Sequence, residues 1–374
     1  MSKINVRSPY YIKFNATNLT QVDLELYIYT GEQITDRTNY YSLTSFAVTD
    51  TVSFDIAEIV RDFLLTDFDG DYVCTNVWVD YRSKNYIQGQ AQAFTNYTLC
   101  TGFNGYGYYE EGVNPVNDSG LLQSNTKILK LDDASVVIPV NTSNTTRVNY
   151  ELNGNLIYTK AITPSSPLTS STQIEYVSSV TNGSDDFQDR VIQDGGIFEN
   201  SICLEQFLDR FILFNFDTIY VDTTNGIIKI DVENITECKF TPHKITFVNK
   251  FGALQDVWFF KTFKELLTTN KETFKRNNYV PLTNSYNVSR HQETILNKNG
   301  NEKLELNSGY YPEEYNEVFT QMLLSEECWI EMDNKTLPIN IASSDMSFKT
   351  HLNDKLIAYK INVDYSFDKI NNVR

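Results

Sequence analysis

The sequence predicts a mainly β chain, built of β-sandwich-like domains with one or two amphipathic helices. Three observations predict it. Tyr (24) and Phe (23) are abundant among the 374 residues, and aromatic side chains pack well on a pleated surface. Apolar residues recur at every second position in several stretches, the period of a half-buried strand. Turn dipeptides such as Asn153-Gly154 separate those stretches. The length exceeds what one core usually serves. Three domains are therefore expected: 1–113 with a short helix, 114–235, and a β-rich 236–374 carrying a helix over 313–332.

Each element follows from local pattern. Val22, Leu24, Leu26 and Ile28 share one face of a strand, with Asp23, Glu25, Tyr27 and Tyr29 on the other. Thr30-Gly31-Glu32 turns it, and Tyr40 to Val48 continues the sheet. Over Asp55 to Leu65 the period becomes helical through Ile56, Ile59, Val60, Phe63 and Leu64, with Asp55 placed to cap free N–H groups. After the acidic turn 67–71, Val73, Thr75, Val77, Val79 and Tyr81 alternate again, and Thr101 to Pro115 is a loop rich in Gly and Tyr.

The middle of the chain reads as strands at 136–140, 148–152 and 155–160. Loops from Thr163 to Asp189 surround one strand at 174–177, and a hairpin spans 216–232. Strands at 244–248 and 253–261 flank the turn Asn249-Lys250-Phe251-Gly252, where glycine can take positive φ. Pro312 suits the first turn of a helix running to Met332, whose buried stripe is Tyr315, Val318, Phe319, Met322 and Leu323. From Lys355 to Phe367, Ile357, Tyr359, Ile361, Val363, Tyr365 and Phe367 form one face of a last strand.

The chain carries 31 basic and 48 acidic residues, a net charge of −17. Such a surface repels nucleic-acid phosphates at long range and disfavours a nucleic-acid reader. The five cysteines (Cys74, Cys100, Cys203, Cys238 and Cys328) are odd in number and widely spaced. They indicate no disulfide framework and fit a reducing compartment. No apolar run approaches the ~20 residues of a membrane span.

No chemistry-bearing motif emerges. Asp67, Asp69 and Asp71 are the weak candidates for a hard cation, but Gly70 is misplaced for an EF-hand loop and no Glu closes it. The loop 102–112 lacks the spacing of a nucleotide-binding loop, and Glu110 and Glu111 would repel phosphate. His243, His291 and His351 sit in no metal or general-base pattern. No catalytic residue and no cofactor is assigned. Paired carboxylates for glycoside hydrolysis need no local motif, so a glycan-degrading enzyme stands as a rival. Exposed aromatics also fit a partner surface. The interface candidates are Tyr106, Tyr108, Tyr109, Tyr310, Tyr311, Phe251 and Trp258.

The stretch Lys250-Phe251-Gly252-Ala253-Leu254-Gln255-Asp256-Val257-Trp258-Phe259-Phe260-Lys261 resembles tail or virion structural proteins of tailed bacteriophages, particularly those infecting Bacteroidota, crAss-like phages among them. The loop 107–112, Leu306 to Tyr310, Asn353 to Ile357 with Asn371 to Arg374, and Ser8 to Ile12 agree with it. The resemblance implies a virion tail component, assembled in the host bacterial cytoplasm as a ring, adaptor or baseplate layer. Its implied partners are copies of itself and neighbouring tail proteins. DNA would be a passing cargo without specific binding, and no membrane is involved. The family brings no catalytic residues with it. A tail-tip receptor- or carbohydrate-binding protein is the alternative, with Tyr106, Tyr108, Tyr109, Tyr310 and Tyr311 stacking on sugars.

Overall fold

A computed structural model describes residues 2–30, 37–73, 76–116, 119–132, 134–163, 174–182, 211–213, 216–276, 288–343 and 356–370. The expected turn at Gly31-Glu32, most of the loops between Thr163 and Asp189, Cys74, Cys203 and His351 lie outside them. The chain is mainly β, with two α-helices among the described residues.

The first sheet orders its strands Ser2–Asn5, Thr98–Phe103, Asn76–Ile87, Leu19–Tyr29 and Tyr41–Phe46, with Gln90–Ala91 hairpinned onto Asn76–Ile87. Its inner face is the one that alternation predicts: Val22, Leu24, Leu26, Val77 and Val79 are buried. The ribbon formed by Tyr11–Asn15 and Thr51–Asp55 packs on that face with helix Ala57–Arg61, contributing Ile12, Val52, Phe54, Ile56 and Val60. The helix is shorter than its sequence period. Asp55 does accept the Ala57 N–H (3.1 Å), but Phe63 and Leu64 already bond three residues back, the tightening that ends a helix.

The outer face of this sheet departs from expectation. Glu25, Tyr27 and Tyr29 are buried rather than wet. Tyr27, Tyr29 and Trp78 pack together with Leu99. The charges beside them are paired: Arg37 forks Asp80 at 2.7 and 2.9 Å, and Arg82 meets Glu25 at 2.5 Å. The rings of Tyr97 and Phe94 cover the two guanidiniums. Aromatic area and compensated charge together allow a nominally polar face to be buried.

The middle sheet runs Asn155–Ala161, Thr145–Leu152, Thr218–Thr223, Gly226–Ile235 and Lys127–Leu131, the last pair parallel. Strands Val137–Asn141 and Ile174–Ser178 form a ribbon whose Ile138 and Val177, with Val136 just before it, share a core with Val148, Tyr150, Phe216, Ile219, Val221 and Ile230. Asn153 (φ 51) and Gly154 (φ 78) both take left-handed backbone, as a tight two-residue hairpin requires.

The last sheet orders Leu254–Phe259, His243–Val248, Cys328–Met332, Lys335–Ile341, Leu356–Tyr365, Glu293–Pro312 and Lys264–Lys275. It curls until it meets itself. Phe260 and Lys261 donate their N–H groups to the carbonyls of Ser308 and Asn307 at 3.2 and 3.1 Å. Inside sit Ile357, Tyr359, Ile361, Val363 and Tyr365, as alternation predicts, whereas Phe367 is beyond the strand and exposed. The helix expected over Glu313–Met332 is a correction. A 3-10 turn at Glu313–Tyr315 leads into helix Asn316–Leu323, and Cys328–Met332 is a strand. Phe247 pairs with Cys328 and Ile330 with Leu337. Pairing on both sides outweighs the helical spacing of that segment, because tertiary context overrides weak local propensity. Four of the five stripe residues, Tyr315, Val318, Phe319 and Met322, are buried in the curled sheet, whereas Leu323 is only partly buried.

Candidate interaction surface

The three cores meet at the turn Asn249-Lys250-Phe251-Gly252. Asn249 is fully buried and holds the turn from within. Its Oδ1 accepts the N–H groups of Phe251 (2.9 Å) and Ala253 (3.1 Å). Its Nδ2 donates to the Leu122 carbonyl (2.7 Å) and to Gln255 Oε1 (3.0 Å). Gln255 Nε2 in turn donates to Asn125 Oδ1 (2.9 Å). One side chain thus ties the last sheet to the middle one with every polar atom satisfied, the condition for burying such a network. Elsewhere along that seam, Leu254 N–H donates to Tyr176 Oη and Leu129 N–H to Tyr315 Oη, both at 2.9 Å.

The first core is clamped to the same turn by the Gly/Tyr loop. Tyr106 N–H donates to the Lys250 carbonyl at 2.9 Å. Lys250 Nζ lies 4.3 Å from the centre of the Tyr108 ring and pairs with Glu111. Tyr108 Oη donates to Glu317 at 2.8 Å, and Gln321 Nε2 donates to the same carboxylate oxygen at 2.8 Å. Burial first, then the bond to Glu317, pushes the Tyr108 hydroxyl up, so it stays a neutral donor. Burial alone would raise Glu111, but the Lys250 and Tyr108 N–H hydrogen bonds outweigh it and hold the carboxyl below its usual 4.5.

That depression has a sign. The Glu111 contribution to stability is complete above pH 4.5 and is lost as the pH falls through the lowered folded value. Glu111→Gln should therefore lower the urea midpoint relative to the parent chain at pH 7, and the gap between the two midpoints should be smaller at pH 3. An equal gap at both pH values would remove the ion pair from the clamp.

The interface candidates divide accordingly. Tyr106 and Tyr311 are buried, the latter donating to the Trp258 carbonyl at 2.7 Å. Phe251 is partly buried beside Phe103, Leu122 and Ile174, and Trp258 is partly buried, stacked on Phe260. Tyr108 serves the clamp. Tyr109 and Tyr310 stand in solvent.

The acidic turn gathers no metal ligands. Asp67, Asp69 and Asp71 are exposed, Asp69 accepts the N–H of Asp71 (3.2 Å), and no cluster of three metal-ligating side chains occurs among the described residues. His243 is buried edge-on against Phe263, with its pKa lowered by burial, and His291 is exposed.

The feature that sequence reasoning missed is a long ribbon. Strand Lys264–Lys275 is exposed at every residue, and it pairs with Glu293–Pro312 as the outermost strand of the last sheet. Its only advance signal is a run of polar and β-branched residues without alternation. No family model and no curated protein matches the chain.

Proposed function

We propose that this chain is a structural component of a bacteriophage tail, forming a ring, adaptor or baseplate layer around the tail axis through β-mediated contacts between subunits. The reading takes 1–113, 114–235 and 236–374 as β-sandwich-like domains fastened into one stiff block. The observation that carries it is the combination of that fastening with a projecting, solvated ribbon. Buried side chains and a main-chain hydrogen bond tie all three cores to one turn, while an edge unpaired among the described residues is held out to solvent. Stiff blocks with open edges suit strand-mediated assembly. The resemblance centred on 250–261 supports it from the sequence side, since those residues form the turn where the cores meet. A sugar platform at the tail tip is supported less well, because Tyr106 and Tyr311 are committed inside the subunit.

The test is mass spectrometry of purified particles from a phage encoding this chain, combined with cryo-electron microscopy. Peptides of this chain at a multiple-copy ratio, and density for it around the tail axis, are expected. Absence from intact particles, or glycan turnover abolished by changing one Asp or Glu, would overturn the reading.

A further inference from the structure

The ribbon is anomalous within its own subunit. Strand Leu356–Tyr365 pairs with its neighbour only as far as Lys303. Beyond that point the ribbon is two-stranded among the described residues, braced where the N–H groups of Lys369 and Ile370 bond Gly300 and Asn299. From the Asn270–Asn299 pair to the Lys275–Glu293 pair no third strand joins it among the described residues, a further ~20 Å at the usual rise per residue. A two-stranded ribbon is marginal in water by itself. This one also exposes Leu267, Phe274, Ile295 and Leu296.

Its charge is opposite to that of the body. The stretch 264–299 carries six Lys and Arg against three Glu, a net of +3 in a chain of −17, so the remainder carries −20. Lys271, Lys275 and Arg276 are exposed on it, and an acidic surface laid against them would complement their charge. We propose that the ribbon is an assembly arm that docks on the acidic body of a second copy of this chain, with Lys271, Lys275 and Arg276 meeting carboxylates there. The proposal rests on the structural role above and names its partner and contact. Such a contact is head-to-tail, so repeating it generates a ring or a filament.

The experiment uses the full chain. Sedimentation velocity compares the parent with the triple variant K271E/K275E/R276E and the conservative double variant K271R/K275R. Runs at roughly 0.05 and 0.5 M salt bracket strong and weak screening. The parent should associate, at least tenfold more weakly at high salt. The triple variant should associate at least tenfold more weakly than the parent at low salt, with an unchanged circular-dichroism spectrum, and the Arg variant should match the parent. A parent that stays monomeric, or a triple variant that assembles equally well, overturns the proposal. So does parental binding of a labelled duplex DNA that the triple variant loses. Assembly that ignores the arm leaves the tail reading standing. Absence from particles sinks the tail reading without touching the arm measurement.

Discussion

Replacing Gly252 with alanine should destabilise the chain by about 3 kcal/mol or more, because two costs fall on one atom. Gly252 has φ +77, a left-handed conformation that costs an L-residue roughly 1–2 kcal/mol. A Cβ there would lie 2.9 Å from the backbone nitrogens of Asn104 and Gly105 and 3.0 Å from the Asn104 carbonyl carbon. Those are main-chain atoms of the clamped loop, which cannot rotate away as a side-chain tip can, and overpacking of this kind costs roughly 1–3 kcal/mol. The turn cannot yield either, since Asn249 pins both sides of it. Gly154 provides the control. Its φ is +78, but nothing lies within 4 Å of its Cβ position, so Gly154→Ala should show the conformational cost alone, roughly 1–2 kcal/mol. Denaturant midpoints for the two variants measure the difference. Equal losses would mean that the close approach of loop and turn contributes nothing.

The second large effect is expected at Phe319. This ring is fully buried, 4.0 Å from the centre of Tyr359, 5.4 Å from Tyr311 and 6.2 Å from Phe259. It joins helix Asn316–Leu323 to three strands of the curled sheet. Phe319→Ala should cost about 3–5 kcal/mol, the lost transfer energy plus the cavity left among rings that cannot collapse together. Tyr310, nearby in sequence and exposed, should tolerate alanine within about 0.5 kcal/mol. Comparable losses at both positions would argue against the helix as the plug of the last core.

Much of the fold is legible in the sequence wherever the signal is local. Ile357 to Tyr365 alternates and is buried as it alternates. Asn153-Gly154 announces its hairpin through the only residues that take such backbone cheaply, and Val22 to Ile28 faces the core as expected. The failures share a cause. Cys328 to Met332 continues the helical spacing of the segment before it and is a strand only because 244–247 and 335–339 pair with it. Tyr27 and Tyr29 look wet until Trp78 and Leu99 arrive from elsewhere in the chain. The ribbon 264–275 lacks an apolar face, so periodicity cannot mark it.

The candidate surface was less legible still. Among the aromatics singled out, Tyr108 and Tyr109 are neighbours of the same type, yet one is drawn into a contact with Glu317, 209 residues away, and the other faces solvent. Strand-forming stretches, tight turns, a surplus of negative charge and the buried stripe of the last helix are determined by the sequence alone, because each depends on residues within a few positions of one another. Which faces are doubly covered, where the helix stops, how three cores lock onto the turn at 249–252 and which edge projects are decided only by tertiary structure. Those outcomes depend on contacts between residues tens to more than a hundred positions apart, whose partners leave no periodic trace in the segments they join.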